Sequence, residues 1–314
     1  MPENAPMHEP VLTEEVVRFL SGTPTGTIVD GTVGLGGHSA ALLEANADVH
    51  IVGIDRDQEA LEVAAERLHA FGERVRLVHG DFRDMDRHLD EIGLPRVGGV
   101  LLDIGVSSMQ IDRAERGFSF RADGPLDMRM NRTRGATASE WLQSADEAEI
   151  AQVLREYGEE RYARRIARAI VRARDAGPIE TTGDLVRIVH GAVPGSYFTQ
   201  RIDPATRTFQ ALRIVVNDEL GALREGLAAA FARLVIGGVL CVISFHSLED
   251  RMVKTFFREK AAACVCPPGL PECVCGKQVE AEILTKRPVV AGPKDVLRNP
   301  RARSAKLRAA RRVV

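Results

Sequence analysis

The first hundred residues alternate between short apolar runs and longer stretches with apolar residues at three- and four-residue spacing. The short runs are rich in β-branched residues, and they predict strands at Thr27–Val29, Val49–Ile54, Val75–Val78 and Val100–Ile104. The longer stretches have the period of amphipathic helices. Strands and helices that alternate in this way predict a parallel sheet with helices on both faces.

The alternation stops near Ser108 and resumes about a hundred residues later. Helical patterns follow one another in between, so we expect an all-helical insertion over 108–205 in an α/β domain made of 1–107 and 206–314. Within the insertion, Thr137 and Ser144 each precede a glutamate by three residues, which predicts two capping boxes.

Helical spacing marks the apolar residues from Phe209 to Leu234 and predicts one long amphipathic helix. We expect Gly237 and Gly238 to end that helix, because glycine is common just past a helix end. The apolar run Val239–Ser244 then predicts a buried strand, and another strand is expected near Glu280–Thr285.

Composition places the chain among globular proteins. Of its 314 residues, 45% are hydrophobic and 27% are charged, which excludes disordered, collagen-like and coiled-coil classes. The longest apolar run, Leu234–Phe245, has 12 residues, whereas a membrane span needs about 20. The polar amino terminus does not have the pattern of a secretory signal. We therefore expect a soluble cytoplasmic protein.

Basic residues are unevenly distributed, although the net charge is only −2. Seven arginines and lysines and no acids lie between Arg298 and the end, and seven arginines against three glutamates lie between Arg155 and Arg174. Such blocks indicate a polyanion partner. An arginine-rich genome would produce the same pattern without any binding role.

A glycine-rich turn follows the first predicted strand, in the segment TIVDGTVGLGGHS that begins at Thr27. Glycines there let the backbone pass close to a ligand. The turn departs from the G-x-G-x-x-G pattern of dinucleotide sites and fits the looser acidic, glycine-rich turn of S-adenosylmethionine (SAM) enzymes. A tight strand-to-helix turn without a ligand is the alternative.

Acidic residues follow the second and third strands as well. Asp55 ends the second strand, where a carboxylate can accept both ribose hydroxyls of either NAD or SAM. Gly80, Asp81 and Phe82 follow the third strand, and an acid with an aromatic ring there can bind and stack an adenine. The pair favours SAM over NAD.

The fourth strand ends at Asp103, shortly before Ser107 and Ser108. Ligands of open α/β sheets bind beyond the carboxyl ends of the strands, so we predict that these three residues face the reacting methyl group and are catalytic. The alternative for Asp103 is a capping role at the next segment.

The segment SFHSLEDR, from Ser244 to Arg251, follows the fifth strand at the same predicted edge. His246 and Arg251 are predicted to position the substrate, through a flipped base or its phosphate. A purely structural role is the alternative for His246. Glu249 and Asp250 are expected to favour the start of the next helix through its dipole.

Two further segments each allow a functional and a structural interpretation. Phe118 and Phe120 lie among six arginines, an arrangement that suits stacking on unpaired RNA bases and equally suits a loop packed on its own core. Cysteines 264, 266, 273 and 275 form C-x-C-x6-C-x-C, which could hold one zinc ion or be reduced cysteines in an ordinary loop. We assign no metal ligand from the sequence.

Several longer motifs resemble one family over nearly the whole chain. The motifs are VDGTVGLGGHS, GIDRD, LLDIGVSSMQIDRAERGFSF, GPLDMRM, RTFQALRIVVNDEL, ISFHSLEDR and NPRARSAKLR. They are similar to those of bacterial 16S rRNA (cytosine-N4) methyltransferases. The resemblance implies a class I SAM-methyltransferase fold, with a Rossmann-like, mostly parallel seven-stranded sheet and an inserted helical domain for substrate recognition.

The same resemblance implies a cofactor, a substrate and a set of contacts. SAM is expected to touch Gly36, Gly37, His38, Asp55, Phe82, Asp103 and Gln110. The methyl acceptor would be the exocyclic N4 amine of one cytidine in the decoding region of 16S rRNA, either free or in the 30S subunit. A homodimer is compatible with the sequence without being predicted by it.

Three other classes share part of this pattern. An NAD(P)-dependent oxidoreductase would have the glycine turn and Asp55 but would not need Phe82. A methyltransferase of small molecules or of another RNA would have the SAM site, and the small-molecule enzyme would not need the basic segments. A non-catalytic RNA-binding protein would not need a cofactor pocket.

Overall fold

The computed structural model describes residues 10–199, 202–266 and 274–314. The chain divides into two compact units: one contains the residues up to Gly105 together with Ala222–Val314, and the other is Val106–Gly221. We call them the sheet unit and the helical unit. The helical unit extends further at its carboxyl end than the predicted insertion, 108–205. Phe209 and Leu212, which lie beyond the predicted end, are buried in the core of the helical unit.

The described residues form eight strands and thirteen α-helices. The strands are β1 (Thr27–Asp30), β2 (His50–Asp55), β3 (Val75–His79), β4 (Val97–Asp103), β5 (Leu234–Ser244), β6 (Ala281–Ile283), β7 (Val289–Val290) and β8 (Lys306–Arg312). The helices are α1 (Thr13–Leu20), α2 (Gly37–Ala45), α3 (Gln58–Leu68), α4 (Met85–Glu91), α5 (Ser108–Asp112), α6 (Ala138–Ser144), α7 (Glu147–Glu156), α8 (Ala163–Ala176), α9 (Thr182–Ala192), α10 (Ala205–Asn217), α11 (Glu219–Arg233), α12 (Ser247–Ala261) and α13 (Pro293–Arg298). No helix among these residues is both long and apolar enough to cross a membrane.

One sheet holds all eight strands, in the order β3-β2-β1-β4-β5-β8-β6, and β7 also pairs with β8. Strands β1 to β5 are parallel, whereas β8 is antiparallel to its neighbours. The four strands predicted in the first hundred residues are confirmed. Strands β1, β2 and β4 lie inside the sheet and are mostly apolar and buried, whereas β3 lies at its edge and is partly exposed. The carboxyl ends of β1, β2, β3 and β4 consequently share one edge.

The prediction of a single helix from Phe209 to Leu234 is wrong. Helix α10 ends at Asn217, and Asp218 has a left-handed backbone with φ of 46° before α11 begins. The Asn217 side chain holds this break in place, since its amide donates to the Met128 carbonyl at 2.8 Å and its oxygen accepts from the Met130 N–H at 2.8 Å.

The expected helix end at Gly237 and Gly238 is also wrong, because both glycines lie inside β5. The pairing of β5 with β4 shifts register between Val97 and Gly99, because β5 has more residues than β4 between the two paired positions. Gly237 is one of these additional residues and adopts a φ of 85°. A Cβ on Gly238 would come within 2.9 Å of the Gly98 carbonyl oxygen. Glycine is therefore required there for a bulge and not for a helix end.

Helices of the helical unit surround an apolar core of their own. Thr137 caps α6 in a capping box with Glu140, as predicted. The second predicted box is wrong: Ser144 belongs to the last turn of α6, and Asp146 caps α7 by accepting the Glu149 N–H at 2.8 Å. A carboxylate two residues after the predicted serine provides the cap instead.

The basic tail forms β8, and much of its charge is paired within the sheet unit. Arg308 is nearly buried and donates from Nε to Asp250 at 2.7 Å. Arg311 lies 2.9 Å from Glu282, and Arg312 donates to the Leu234 carbonyl at 2.8 Å. These arginines therefore join β8 to its neighbours, which accounts for their charge without a polyanion.

Candidate functional site

Three parallel strands of the sheet unit end in an aspartate at the same edge: Asp30 ends β1, Asp55 ends β2 and Asp103 ends β4. The glycine-rich turn connects β1 to α2 beside them. Gly34 and Gly36 have φ of 51° and 76°, a left-handed backbone that favours glycine. Backbone N–H groups at the start of α2 and several carboxylates thus lie at one edge, as the turn and the strand ends predicted.

Asp30 is the most buried of these carboxylates, with 1% of its surface exposed. One oxygen accepts a hydrogen bond from Ser39 Oγ at 2.7 Å, and the other accepts the Thr32 N–H at 3.3 Å. Burial raises the pKa of Asp30 to about 6, although the Ser39 hydrogen bond and the nearby His38 act in the opposite direction. The carboxyl group therefore changes charge just below neutral pH.

Asp55 joins the end of β2 to the glycine turn. Its Oδ2 accepts the Gly34 N–H at 2.8 Å, and its Oδ1 accepts the Asp57 N–H at 2.9 Å. Burial raises the pKa of Asp55 above its ordinary value, while these backbone hydrogen bonds lower it. Each carboxylate oxygen has a second lone pair, so the side chain can still accept hydroxyl protons. Its contact with a ribose stays a prediction.

Asp103 and His38 form a close pair with unsatisfied polar atoms. His38 Nε2 lies 3.4 Å from Asp103 Oδ2, and the Asp103 N–H donates to Thr32 Oγ1 at 2.7 Å. Within the described part of the chain, Asp103 Oδ1 and both ring nitrogens of His38 are buried without a hydrogen-bond partner. A buried polar atom left in this state costs about 1–3 kcal/mol. Use by a ligand or a reaction is one physical reason for a protein to retain such atoms.

The Gly80–Phe82 segment leads from β3 into a short 3-10 turn that Asp81 caps, accepting the Arg83 N–H at 3.1 Å. Asp81 also pairs with Arg56 at 3.1 Å. Phe82 is only 7% exposed, and a Cβ on Gly226 would lie 2.3 Å from its ring. Most of the ring is therefore packed in the core, and its stacking on adenine stays a prediction.

Ser107 and Gln110 belong to the helical unit, where they form the capping box of α5. Ser107 Oγ accepts the Gln110 N–H at 3.2 Å, and Gln110 Oε1 accepts the Ser107 N–H at 3.0 Å. Ser108 is the first residue of α5 and is half-buried. The capping role considered for Asp103 is filled by Ser107. The catalytic roles of both serines and the cofactor contact of Gln110 stay predictions.

His246 caps α12, and its ring contacts Glu249. Glu249 accepts the N–H groups of Phe245 and His246 at 2.8 and 3.2 Å, while its own N–H donates to His246 Nδ1 at 3.4 Å. The other ring nitrogen lies 3.0 Å from Glu249 Oε1. Arg251 is exposed on the first turns of the same helix. The histidine thus has a structural role, and the substrate contacts of both residues stay predictions.

The loop around Phe118 and Phe120 packs on the core of the helical unit. The Phe120 ring lies 4.8 Å from that of Phe209, and both loop phenylalanines are half-buried. Arg116 is 1% exposed and donates to the Met130 carbonyl at 3.0 Å. Of the two interpretations of this loop, the structure favours packing on its own core over stacking on RNA bases.

Asp30, Thr32 and Arg56 contribute to the site but were not among the residues singled out from the sequence. Asp30 could have been found, because an acid at the end of a buried strand and before a glycine turn needs a partner inside the protein. Thr32 and Arg56 could not, since their partners Asp103 and Asp81 lie on other strands.

The strand order, with the antiparallel β8 between β5 and β6, is that of a class I SAM-dependent methyltransferase, as the resemblance implied. The sheet has one strand more than the seven expected, because the two-residue β7 also pairs with β8. A solved structure with a similar overall fold is a putative methyltransferase from Streptococcus mutans in complex with SAH, at 11% identity and a TM-score of 0.44, with 98% of this chain and 100% of that chain covered.

Sequence comparison reaches much closer relatives. Ribosomal RNA small subunit methyltransferase H of Geobacter sulfurreducens is 57% identical over 307 residues, which cover 98% of this chain and 99% of that protein. The protein of the same name from Heliobacterium modesticaldum is 52% identical over 308 residues, with 98% of each chain covered. The model of the MraW methylase family matches residues 5–313. The chain therefore belongs to the MraW methylase family.

Proposed function

We propose that this protein transfers a methyl group from SAM to the exocyclic N4 amine of a cytidine in the decoding region of 16S rRNA. The family is one of methylases, and relatives above 50% identity are named ribosomal RNA small subunit methyltransferase H. The choice of cytosine N4 and of the decoding region rests on the resemblance of the motifs to that enzyme family. Such an enzyme would act in the cytoplasm, where 16S rRNA is found.

The observation that carries the proposal is the pair of Asp103 and His38 at the carboxyl end of β4. Asp103 retains an unsatisfied oxygen, and 24% of its side chain is exposed at the edge where open α/β sheets bind ligands. A carboxylate in this position can accept a hydrogen bond from an amine. Both the amino group of SAM and the N4 amine of cytosine are such donors.

The residues at this edge fit SAM. Asp55 offers lone pairs to the two ribose hydroxyls, and the turn at Gly36 and Gly37 allows the backbone to approach the cofactor. The resemblance implies that His38, Phe82 and Gln110 also contact the cofactor. When bound, SAM supplies an electrophilic methyl group on a sulfonium centre.

Asp103 has one of two tasks in the proposed reaction. The N4 lone pair of cytosine is delocalised into the ring, so the amine is a poor nucleophile. If Asp103 accepts a hydrogen bond from the N4 amine, it favours the sp³-like geometry needed for attack, and it would take up the one proton that N4 loses on methylation. If Asp103 instead holds the amino group of SAM, it orients the methyl group, and good orientation can contribute about 7–11 kcal/mol.

Four residues singled out from the sequence are proposed to position the substrate base. Ser107 and Ser108 would place the cytosine through hydroxyl hydrogen bonds. His246 and Arg251 would contact the base or its phosphate, and a base within an RNA helix must first be extruded for that contact. Glu249 fixes the His246 ring, so the histidine would present its edge without further reorganisation.

The helical unit would recognise the RNA through the arginines of α8. The apolar side of α8 is buried in the core of the helical unit. The other side of the helix carries four exposed arginines: Arg164, Arg165, Arg168 and Arg172. Arg168 lies 3.6 Å from Glu147, an exposed pair that stabilises little. A helix face of this kind is suited to a phosphate backbone, and binding through it would weaken steeply as salt rises.

The test is methylation of defined RNA substrates with labelled SAM. Undermethylated 30S particles, naked 16S rRNA and free cytidine are incubated with the protein, and the digested RNA is analysed for N4-methylcytidine by mass spectrometry. We expect label at N4 of one cytidine in the RNA and none in the free nucleoside. Label on another atom or another RNA, or on the free nucleoside, would contradict the proposal.

A further inference from the structure

Three cysteines of the sheet unit come together between α12 and β6, far along the chain from the strand ends described above. The sulfur atoms of Cys264, Cys266 and Cys275 all lie within 4.8 Å of one another. None of the three is in a disulfide, and Cys264 Sγ lies 3.8 Å from Cys275 Sγ. The fourth cysteine of the sequence pattern, Cys273, lies outside the described residues.

These separations match those of thiolates on a tetrahedral metal ion. With metal–sulfur bonds of about 2.3 Å, tetrahedral geometry separates the sulfurs by about 3.8 Å. A disulfide would require about 2.05 Å between sulfurs. The observed distance between Cys264 and Cys275 therefore corresponds to two ligands of one zinc ion and not to a cystine.

Backbone N–H groups donate to two of the sulfurs. The Cys266 N–H donates to Cys264 Sγ at 3.3 Å, and the Val265 N–H donates to Cys275 Sγ at 3.5 Å. A hydrogen bond to sulfur stabilises the thiolate, which is the form that binds metal. The short C-V-C segment thus contributes two ligands and also the donors that support ligands on both sides of the loop.

The base of the loop is closed independently of the cysteines. The Glu280 N–H donates to the Lys260 carbonyl at 2.8 Å, and Lys260 Nζ donates to the Glu280 carboxylate at 2.6 Å. Lys277 also pairs with Glu280. These contacts bring the end of α12 to the start of β6, so binding of a metal would not have to overcome the full entropy of closing the loop.

We propose that Cys264, Cys266 and Cys275 are ligands of one zinc ion that joins the end of α12 to the segment before β6. Each thiol loses its proton as its sulfur binds, so zinc binding releases protons and weakens as the pH falls. Zinc is favoured over the harder divalent ions because thiolate ligands select against magnesium and calcium. The site lies outside the methyl-transfer chemistry, and its role is structural.

The experiment measures metal in protein purified without a histidine tag, in reducing buffer free of chelators. We expect about one zinc per chain by elemental analysis. Replacement of zinc by cobalt should produce the sulfur-to-cobalt charge-transfer band and the d–d bands of a tetrahedral site, whose intensities count the thiolates. The paired substitution Cys264→Ser and Cys275→Ser should abolish both signals.

Cys241→Ala is the matched control, because Cys241 is buried in β5 and should leave the zinc content unchanged. Freshly purified wild-type protein that contains no zinc and binds no cobalt would overturn the proposal, as would a Cys264–Cys275 disulfide found by mass spectrometry. Iron in place of zinc would overturn the metal assignment. The wild-type measurements decide the matter even if the paired variant does not fold.

Discussion

Two acidic side chains, one in each unit, have opposite surroundings. Glu160 in the helical unit is 3% exposed, and it accepts hydrogen bonds from the Tyr197 hydroxyl at 3.0 Å and from the Tyr162 N–H at 2.7 Å. Asp103 in the sheet unit has a buried oxygen with no partner in the described part of the chain, and its neighbour His38 has two such nitrogens.

The difference is the one expected between a structural acid and the ligand-binding acid that we propose Asp103 to be. The hydrogen bonds to Glu160 hold helices of one unit together, so its burial is compensated within the protein. Asp103 is not compensated in this way, and a protein bears that cost where function requires it. Substitution of Asp103, and of Tyr197 beside Glu160, tests this distinction directly.

The largest effect is expected from Asp103→Asn. The amide keeps the size of the side chain but removes the charge and half of its acceptor capacity, so methylation should slow by about 100-fold or more. The free energy of unfolding should change by less than about 1 kcal/mol, since the unsatisfied oxygen contributes little to the folded state. Single-turnover rates and urea titrations measure the two quantities. Unchanged turnover together with a large loss of stability would make Asp103 a structural acid like Glu160.

Asp30→Asn should change how stability depends on pH. The pKa of Asp30 is raised from 3.8 to about 6 in the folded state, so the folded form holds its proton more tightly than the unfolded chain. The wild type should therefore lose stability as pH rises from about 4 to about 6, by about 3 kcal/mol relative to the variant, with no further change above that range. Urea titrations of both proteins across this range provide the difference. A difference that is independent of pH would contradict the raised pKa.

Tyr197→Phe should destabilise the helical unit without affecting cofactor binding. The variant removes a buried hydroxyl that donates to Glu160, which should cost about 2 kcal/mol of unfolding free energy. Because the tyrosine supports a structural acid, the dissociation constant for SAM should stay the same. Calorimetry below the unfolding temperature measures it. Weaker SAM binding in folded Tyr197→Phe protein would remove the distinction between the two acids.

The smallest effect concerns the exposed arginines of α8. Replacing Arg164 and Arg165 by glutamine should weaken RNA binding modestly and reduce the slope of log affinity against log salt by about 1 to 2. Arg311→Gln is the control, since Arg311 is also exposed but pairs with Glu282 in the sheet, and its slope should match the wild type. Equal slopes in all three proteins would exclude this helix face as a phosphate contact.

Features that depend on local sequence were predictable. Short apolar runs rich in β-branched residues mark β1 to β4, so these strands were located within a few residues, and the glycine turn and Asp55 followed from their positions at strand ends. The acidic edge of the sheet could be predicted for the same reason, because strand direction alone places those ends together.

Features that depend on partners distant in sequence were not predictable. The break between α10 and α11 is held by Asn217 on the Met128 and Met130 backbone, which is distant in sequence. The block of basic residues in the tail indicated a polyanion site, but Arg308 pairs with Asp250 on α12. Charge counts cannot distinguish an arginine that pairs within the protein from one that faces a ligand.

Isothermal titration of the purified protein with SAM and, separately, with NAD tests the central claim most directly. We predict that SAM binds with a stoichiometry of about one per chain and that NAD produces no binding heat, because we propose that the acids and glycines at the strand ends form a SAM site. Binding of NAD, or no binding of SAM to the folded protein, would contradict the account.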